Sequence, residues 1–296
     1  MGQRTKNPPS RLCSGPVPPR WYDLLVPTPT LVAMLEARPD RPFWGRPWVE
    51  SAFTAHLPGF GGPDGSAGHS LDGWSVGGCM GAETLVQSRP LARATDNPVN
   101  DLLRSGARCS LGLFHSTPEG APPSTDPPRT GRFRRWMAVV AGQRLPESSR
   151  AEILGDLPAF LARDAARSPD CQLQLLALLH KLYTATGFQN AYAEPTALAA
   201  AIADFADSRG EEAPDAMMLS DGRTLGLLVR RGCLLSSYPP ADLRPTRGLV
   251  ASPDHLPASL WIWNPDAPTT PSRDAERLSE GVFTVTAAEP GNVTRL

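Results

Sequence analysis

Long hydrophobic runs are missing from this chain. Its greasiest stretch, Leu173 to Leu182, is too short and too interrupted to cross the roughly 30 Å hydrocarbon core of a bilayer. No apolar segment of signal-peptide type follows the basic start of Arg4, Lys6 and Arg11, so neither secretion nor membrane insertion is expected. Met1-Gly2 is not read as a myristoylation start, because Lys6 stands where Ser or Thr is wanted. Cysteine is scarce: Cys13, Cys79, Cys109, Cys171 and Cys233 are odd in number and scattered, which fits neither a disulfide scaffold nor a C-x-x-C zinc site. A reducing cytoplasm is the expected compartment. An excess of charge is missing too, since 29 Lys and Arg against 30 Asp and Glu leave a net charge of -1. That balance gives no long-range field to favour nucleic acid or an anionic membrane, and neither is expected as a partner. The five histidines, His56, His69, His115, His180 and His255, show no pair at metal-ligand spacing. There is no Gly-x-Ser-x-Gly elbow and no His-Glu-x-x-His, so no metal and no cofactor are expected.

Proline, in contrast, is abundant at 33 residues. It concentrates in Pro8 to Pro19, Pro118 to Pro128 and Pro239 to Pro271, where fixed φ and missing N–H donors predict loops. The Gly-rich run Pro58 to Gly65 follows no clear strand and precedes no Gly-Lys-Ser/Thr, which argues against a phosphate cradle. Helical spacing joins Ile153, Leu157, Phe160 and Leu161, with Pro158 marking where a regular helix begins; a second helix holds Leu175, Leu179 and Leu182, and a third Leu198, Ile202 and Phe205. Strands are predicted at Ser110–His115, Trp136–Val140, Met217–Leu219, Leu225–Val229, Cys233–Tyr238, Leu249–Ser252 and Val282–Thr286, and Asp221-Gly222 reads as a hairpin turn. Strands, then helices, then strands indicate an α+β layered domain rather than a doubly wound parallel sheet. At 296 residues with 41% hydrophobic content, the chain has room for one large core or two modest ones.

Several short segments carry chemistry. Cys13-Ser14-Gly15-Pro16 runs on to Tyr22-Asp23-Leu24-Leu25, and Asp72-Gly73-Trp74-Ser75-Val76-Gly77 follows. Then come Ser110 to Thr117, Trp136 to Gly142, Ser168-Pro169-Asp170-Cys171, Met217 to Arg223, and Leu249-Val250-Ala251-Ser252-Pro253. In this order the segments resemble class II glutamine amidotransferases of the N-terminal-nucleophile fold, most of all their γ-glutamyl amide hydrolase branch in ergothioneine biosynthesis. The resemblance implies an αββα sandwich of four layers, two antiparallel sheets between two helical layers. It would cover residues 13–296, with residues 1–12 as an extension that is disordered or removed.

In that family an N-terminal cysteine attacks a side-chain amide, and its own α-amine, with an ordinary pKa of roughly 7.7 to 8.0, takes the thiol proton. Cys13 is the implied nucleophile. Its nitrogen becomes an amine only if Met1 to Leu12 are removed, and no start methionine stands at position 12; the other reading is a bystander in a Pro-rich arm. Gly142 matches one oxyanion donor, whereas Ala141 replaces the asparagine of the other, a loss that costs about 10² to 10³ in turnover. His115 stands where an arginine would clamp the ligand's carboxylate, and Asp126 where a Thr-His-Pro segment has histidine. Asp170 matches the aspartate that pairs with the ligand's α-ammonium, and it is equally placed to cap the following helix. Asp72 and Trp74 match the substrate-lining motif or serve only the core, while Ser75 replaces a glycine that lets the ligand approach.

Two functions follow from the resemblance. One is hydrolysis of a γ-glutamyl amide in a small-molecule biosynthetic pathway by Cys13, Gly142 and Asp170. The other is an inactive relative that binds as a partner or regulator of an active enzyme. The expected ligand of either is a small γ-glutamyl or glutamine-like molecule.

Overall fold

The computed structural model describes residues 28–36, 46–57, 69–81, 83–89, 98–103, 107–118, 128–186, 192–237, 258–265 and 275–296. The elements begin with β1 (Thr28–Glu36), α1 (Arg46–His56), β2 (His69–Met80), β3 (Glu83–Arg89), α2 (Pro98–Leu102) and β4 (Cys109–Pro118). A middle block follows of β5 (Gly131–Phe133), β6 (Trp136–Ala141), α3 (Glu147–Asp156), α4 (Ala159–Ala165), α5 (Asp170–Thr186) and α6 (Pro195–Arg209). The chain then returns to strands: β7 (Ala216–Ser220), β8 (Thr224–Val229), β9 (Cys233–Ser237), β10 (Ala258–Asn264), β11 (Ala275–Leu278), β12 (Gly281–Thr286) and β13 (Glu289–Arg295).

Successive side chains of a strand point to opposite faces, and β1 shows what this does to the fold. Leu31, Ala33 and Leu35 enter one core while Val32 and Met34 enter another. Both faces are therefore apolar, as a strand needs when it is covered on two sides. β1 sits in a seven-stranded sheet of order β11-β9-β10-β1-β4-β2-β3, antiparallel to β4 and β10. The second sheet, six-stranded, has the order β13-β12-β8-β7-β6-β5, again with antiparallel pairs.

Three apolar layers hold the strata together. Leu31, Leu111, Val139, Met218, Leu227, Trp261 and Phe283 fill the space between the sheets. Outside the first sheet, Trp48, Phe53, Val99 and Leu102 of α1 and α2 cover Val32, Trp74, Phe114 and Ile262. Phe53 and Phe114 meet edge to face, with ring centroids 5.4 Å apart, the geometry the ring quadrupoles favour. Outside the second sheet, Leu175, Leu179, Ile202 and Phe205 of α5 and α6 cover Ala138, Met217, Leu219 and Leu228. The result is an α+β sandwich of four layers, αββα. No helix among the described residues is long and apolar enough to cross a membrane.

Some sequence expectations are corrected. Ala258–Asn264 lies within the Pro239 to Pro271 stretch read as loop, yet it is β10, every residue of it buried. Its continuous apolar run Leu260-Trp261-Ile262-Trp263 suits a strand covered on both faces, and flanking prolines hid it. A helix does begin at Pro158, which is the N-cap of α4, but a separate helix, α3, precedes it and carries Ile153. Phe160, expected on a buried face, is 67% exposed. The proposed strand at Leu249–Ser252 and the Pro58 to Gly65 run lie outside the described residues.

Candidate functional site

β2 and β4 position the first group of expected site residues. Their register shifts between Leu71 and Gly73, so Asp72 is an extra residue at a bulge, and its carboxylate accepts a hydrogen bond from the Thr117 hydroxyl of β4. His115 stands opposite Gly73 on one side and opposite Pro29 of β1 on the other. Asp72 and His115 therefore come together at one end of the first sheet. Trp74 turns away from them. Its ring is buried under α1 and α2, and its indole N–H donates to Asp101 Oδ2 at 3.1 Å. Ser75, on the opposite face of the strand, is fully buried, with its hydroxyl 2.8 Å from both Ser88 Oγ and Thr130 Oγ1.

A second group forms where β6 ends. Gly142 has φ +148°, and a Cβ there would lie 2.9 Å from the Asp215 nitrogen and 3.1 Å from Pro214 Cα. Close approach of residues 214 and 215 thus requires glycine, independently of any ligand. Ala141 is paired with Ala216, 3% exposed, and its methyl group belongs to the core between the sheets. Three residues beyond Gly142, the Leu145 N–H donates to Asp170 Oδ2 at 2.9 Å. Arg150 of α3 donates through Nη1 to Asp170 Oδ1 and through Nη2 to the Ser168 carbonyl at 2.9 Å.

Asp170 is the first residue of α5, and its charge lies at the positive end of that helix. The Pro169 carbonyl receives the opening N–H groups of Gln172 and Leu173. The carboxylate is turned instead to Leu145 and Arg150, tying α5 to α3 and to the loop after Gly142.

β5 joins the two groups. Thr130, bonded to Ser75, precedes Gly131, where a Cβ would lie 2.8 Å from the Cys171 carbonyl oxygen. The Arg132 N–H donates to Gln172 Oε1 at 2.7 Å. Ser75, through Thr130, and the start of α5 thereby meet at one short strand. Thr117, Ser88, Thr130 and Arg150 complete the site and were missed, because their partnerships follow from strand register and helix docking rather than from any sequence spacing.

Cys13, Asp126 and the Leu249 to Pro253 segment lie outside the described residues. β1, the first described strand, contains no cysteine. Cys79, Cys109, Cys171 and Cys233 are buried. Burial pushes the Cys109 and Cys171 thiols up to about 12 and the Cys79 thiol well above its ordinary value, so none of these three is poised as a thiolate. Among the described residues, no His, Cys, Asp or Glu group is placed to hold a metal ion.

No family model matches the chain. No curated protein matches it either. Similar solved structures include a glutamine aminotransferase class-II domain protein from Silicibacter pomeroyi, with 15% identity over 90% of this chain and 98% of that one and a TM-score of 0.49. Another is glutamine phosphoribosylpyrophosphate amidotransferase from B. subtilis, complexed with ADP and GMP, with 9% identity, 90% of this chain and a TM-score of 0.44. This chain spans 48% of that enzyme's length. A third is a predicted glutamine amidotransferase from Pseudomonas aeruginosa, with 16% identity over 89% of this chain and 95% of that one and a TM-score of 0.39.

Proposed function

We propose that this chain is a class II glutamine amidotransferase-like protein in which amide hydrolysis has given way to binding, and that it serves as a partner or regulator of an active enzyme of small-molecule biosynthesis. The observation that carries this reading is the pairing of Asp170 with Arg150. A γ-glutamyl or glutamine-like ligand that used Asp170 for its α-ammonium would have to displace a guanidinium that is already bound in place. Ala141 supports the same reading, since a methyl group buried between the sheets offers an oxyanion no hydrogen bond. His115 supports it as well, because an imidazole lacks the forked donors of a bidentate arginine clamp.

The test combines turnover with the chemistry of the amino terminus. Purified protein is incubated with glutamine and with γ-glutamyl amides, glutamate release is measured, and mass spectrometry identifies the mature first residue. Release at the background rate is expected. Release well above background, abolished by Cys13→Ala in a protein whose first residue is Cys13, overturns the proposal and establishes the hydrolase reading.

A further inference from the structure

The segment from Arg129 through β5 to its turn into β6 carries four arginines within seven residues, Arg129, Arg132, Arg134 and Arg135, and no acidic residue among them. The net charge of -1 conceals this concentration. We propose that Arg134 and Arg135, together with Arg223 from the β7–β8 hairpin, form a docking surface for an acidic segment of a partner protein.

The fold brings Arg135 and Arg223 together from separate hairpins, with Arg134 adjoining Arg135 in the turn. Arg135 Cζ lies 4.6 Å, and Arg223 Cζ 3.7 Å, from the centroid of the same ring, that of Tyr192. Two guanidinium groups sharing one ring repel each other within a Debye length of about 8 to 10 Å. Nothing described neutralises them: among the described residues, Arg134, Arg135 and Arg223 make no ion pair. The neighbouring carboxylate of Asp221 is fully buried and accepts the N–H groups of Ala193, Arg223 and Thr224. Glu83 adjoins Thr84, whose hydroxyl donates to the Arg134 carbonyl at 3.0 Å, yet it pairs with none of the three arginines.

The backbone adds a second observation. Arg134 has φ +56°, a left-handed conformation that glycine adopts at less cost, and among the described residues no other non-glycine shares it. The turn thus retains an arginine at a position where side chains are disfavoured. Its guanidinium lies over the Phe133 ring at 5.5 Å. An arginine stacked on a ring by its face keeps its N–H edge for bidentate pairing with carboxylates.

The character of the surface selects the partner. Grooves of about 570 and 630 Å³ lie elsewhere, between α6 and β12 and beside Arg277 and Arg295. An extended acidic chain presents several carboxylates in a row, each able to pair bidentately with one guanidinium. Nucleic acid fits less well, because the Tyr192 ring on which a base would stack already carries guanidinium groups. This inference rests on the binding role proposed above and gives it a face, and the two can fail separately.

The experiment measures fluorescence anisotropy of a labelled peptide of about twelve Asp and Glu residues on the full chain at about 50 and 200 mM salt, beside an Asn/Gln peptide of equal length. The acidic peptide is expected to bind, to weaken at the higher salt, and to lose at least about tenfold in affinity in the Arg135→Gln/Arg223→Gln variant. Arg231→Gln, which removes an exposed arginine paired with Glu211 and Asp215, should bind like the unaltered protein. Melting curves check the fold of each variant, and Arg134→Gln, at an exposed turn, supplies a milder second variant expected to weaken binding. Equal binding of the neutral peptide, or undiminished binding by the double variant, overturns the proposal. So does an oligonucleotide of equal charge that displaces the peptide at lower concentration. Peptide binding alongside γ-glutamyl amide turnover would leave this face standing and overturn the loss of hydrolysis alone.

Discussion

Arg150 of α3 closes on the carboxylate of Asp170 at the start of α5, and the same carboxylate receives the Leu145 N–H. One side chain thereby fastens two helices and the loop that follows Gly142. The pair is only partly exposed, at 17% for Arg150 and 23% for Asp170, so solvent screens it incompletely.

Asp170→Ala should cost about 1 to 3 kcal/mol, because it strands a guanidinium and a backbone N–H together. Arg150→Met should cost less, since Asp170 keeps Leu145 and the helix dipole. Urea unfolding measures both, with an unchanged m-value confirming two-state comparison. In the double variant the two losses should not add, and strict additivity would show that the pair is not coupled.

Ala141→Asn introduces, beside Gly142, the amide of the resembled motif. The position faces the core between the sheets, so an unpaired amide should lower stability by about 1 to 3 kcal/mol. Glutamate release should remain at background. A variant that hydrolyses glutamine would show that the missing donor alone had silenced the site.

Ser75→Gly introduces the glycine of the resembled motif. It removes a hydroxyl shared with Ser88 and Thr130 and loosens a strand interior, for an expected loss of about 1 to 2 kcal/mol. A melting temperature equal to that of the unaltered protein would mean that the three hydroxyls contribute no stability.

The buried thiols predict an alkaline limit to stability. Burial raises Cys109 from an ordinary value of 9.0 to about 12, with the Asp221 charge adding to the rise and a Ser220 hydrogen bond opposing it. Between these values the unfolded chain has lost a proton that the folded chain retains. The contribution is therefore complete below about pH 9 and declines as pH rises towards 12. Unfolding free energies from about pH 8 to 10.5 should fall, and less steeply in Cys109→Ala. An identical slope in the variant would assign the decline to other groups.

Local pattern was sufficient for much of the architecture. β4, β6 to β8, β12, α5 and α6 were legible because each is a periodic apolar run bounded by turn residues. β2 escaped notice because glycines and Asp72 interrupt its alternation, and β10 because prolines surround it. Asp72, Ser75, His115, Gly142 and Asp170 stand out in the sequence through motif resemblance alone, which says nothing of what each side chain touches. Their partners do not stand out. Thr117, Ser88, Thr130 and Arg150 are ordinary polar residues that acquire significance only from what lies opposite them. The arginine cluster was hidden for a similar reason: a whole-chain charge balance averages out cations that folding gathers around Tyr192.

Composition and periodicity alone specified a layered α+β protein without a membrane-spanning helix, because burial of an apolar face is a local demand that neighbouring residues express together. The occupancy of Asp170, the inward turn of Ala141 and the meeting of Arg135 with Arg223 were settled by three-dimensional packing. These contacts join residues far apart in the chain, and their energies depend on register and docking geometry that no local pattern encodes.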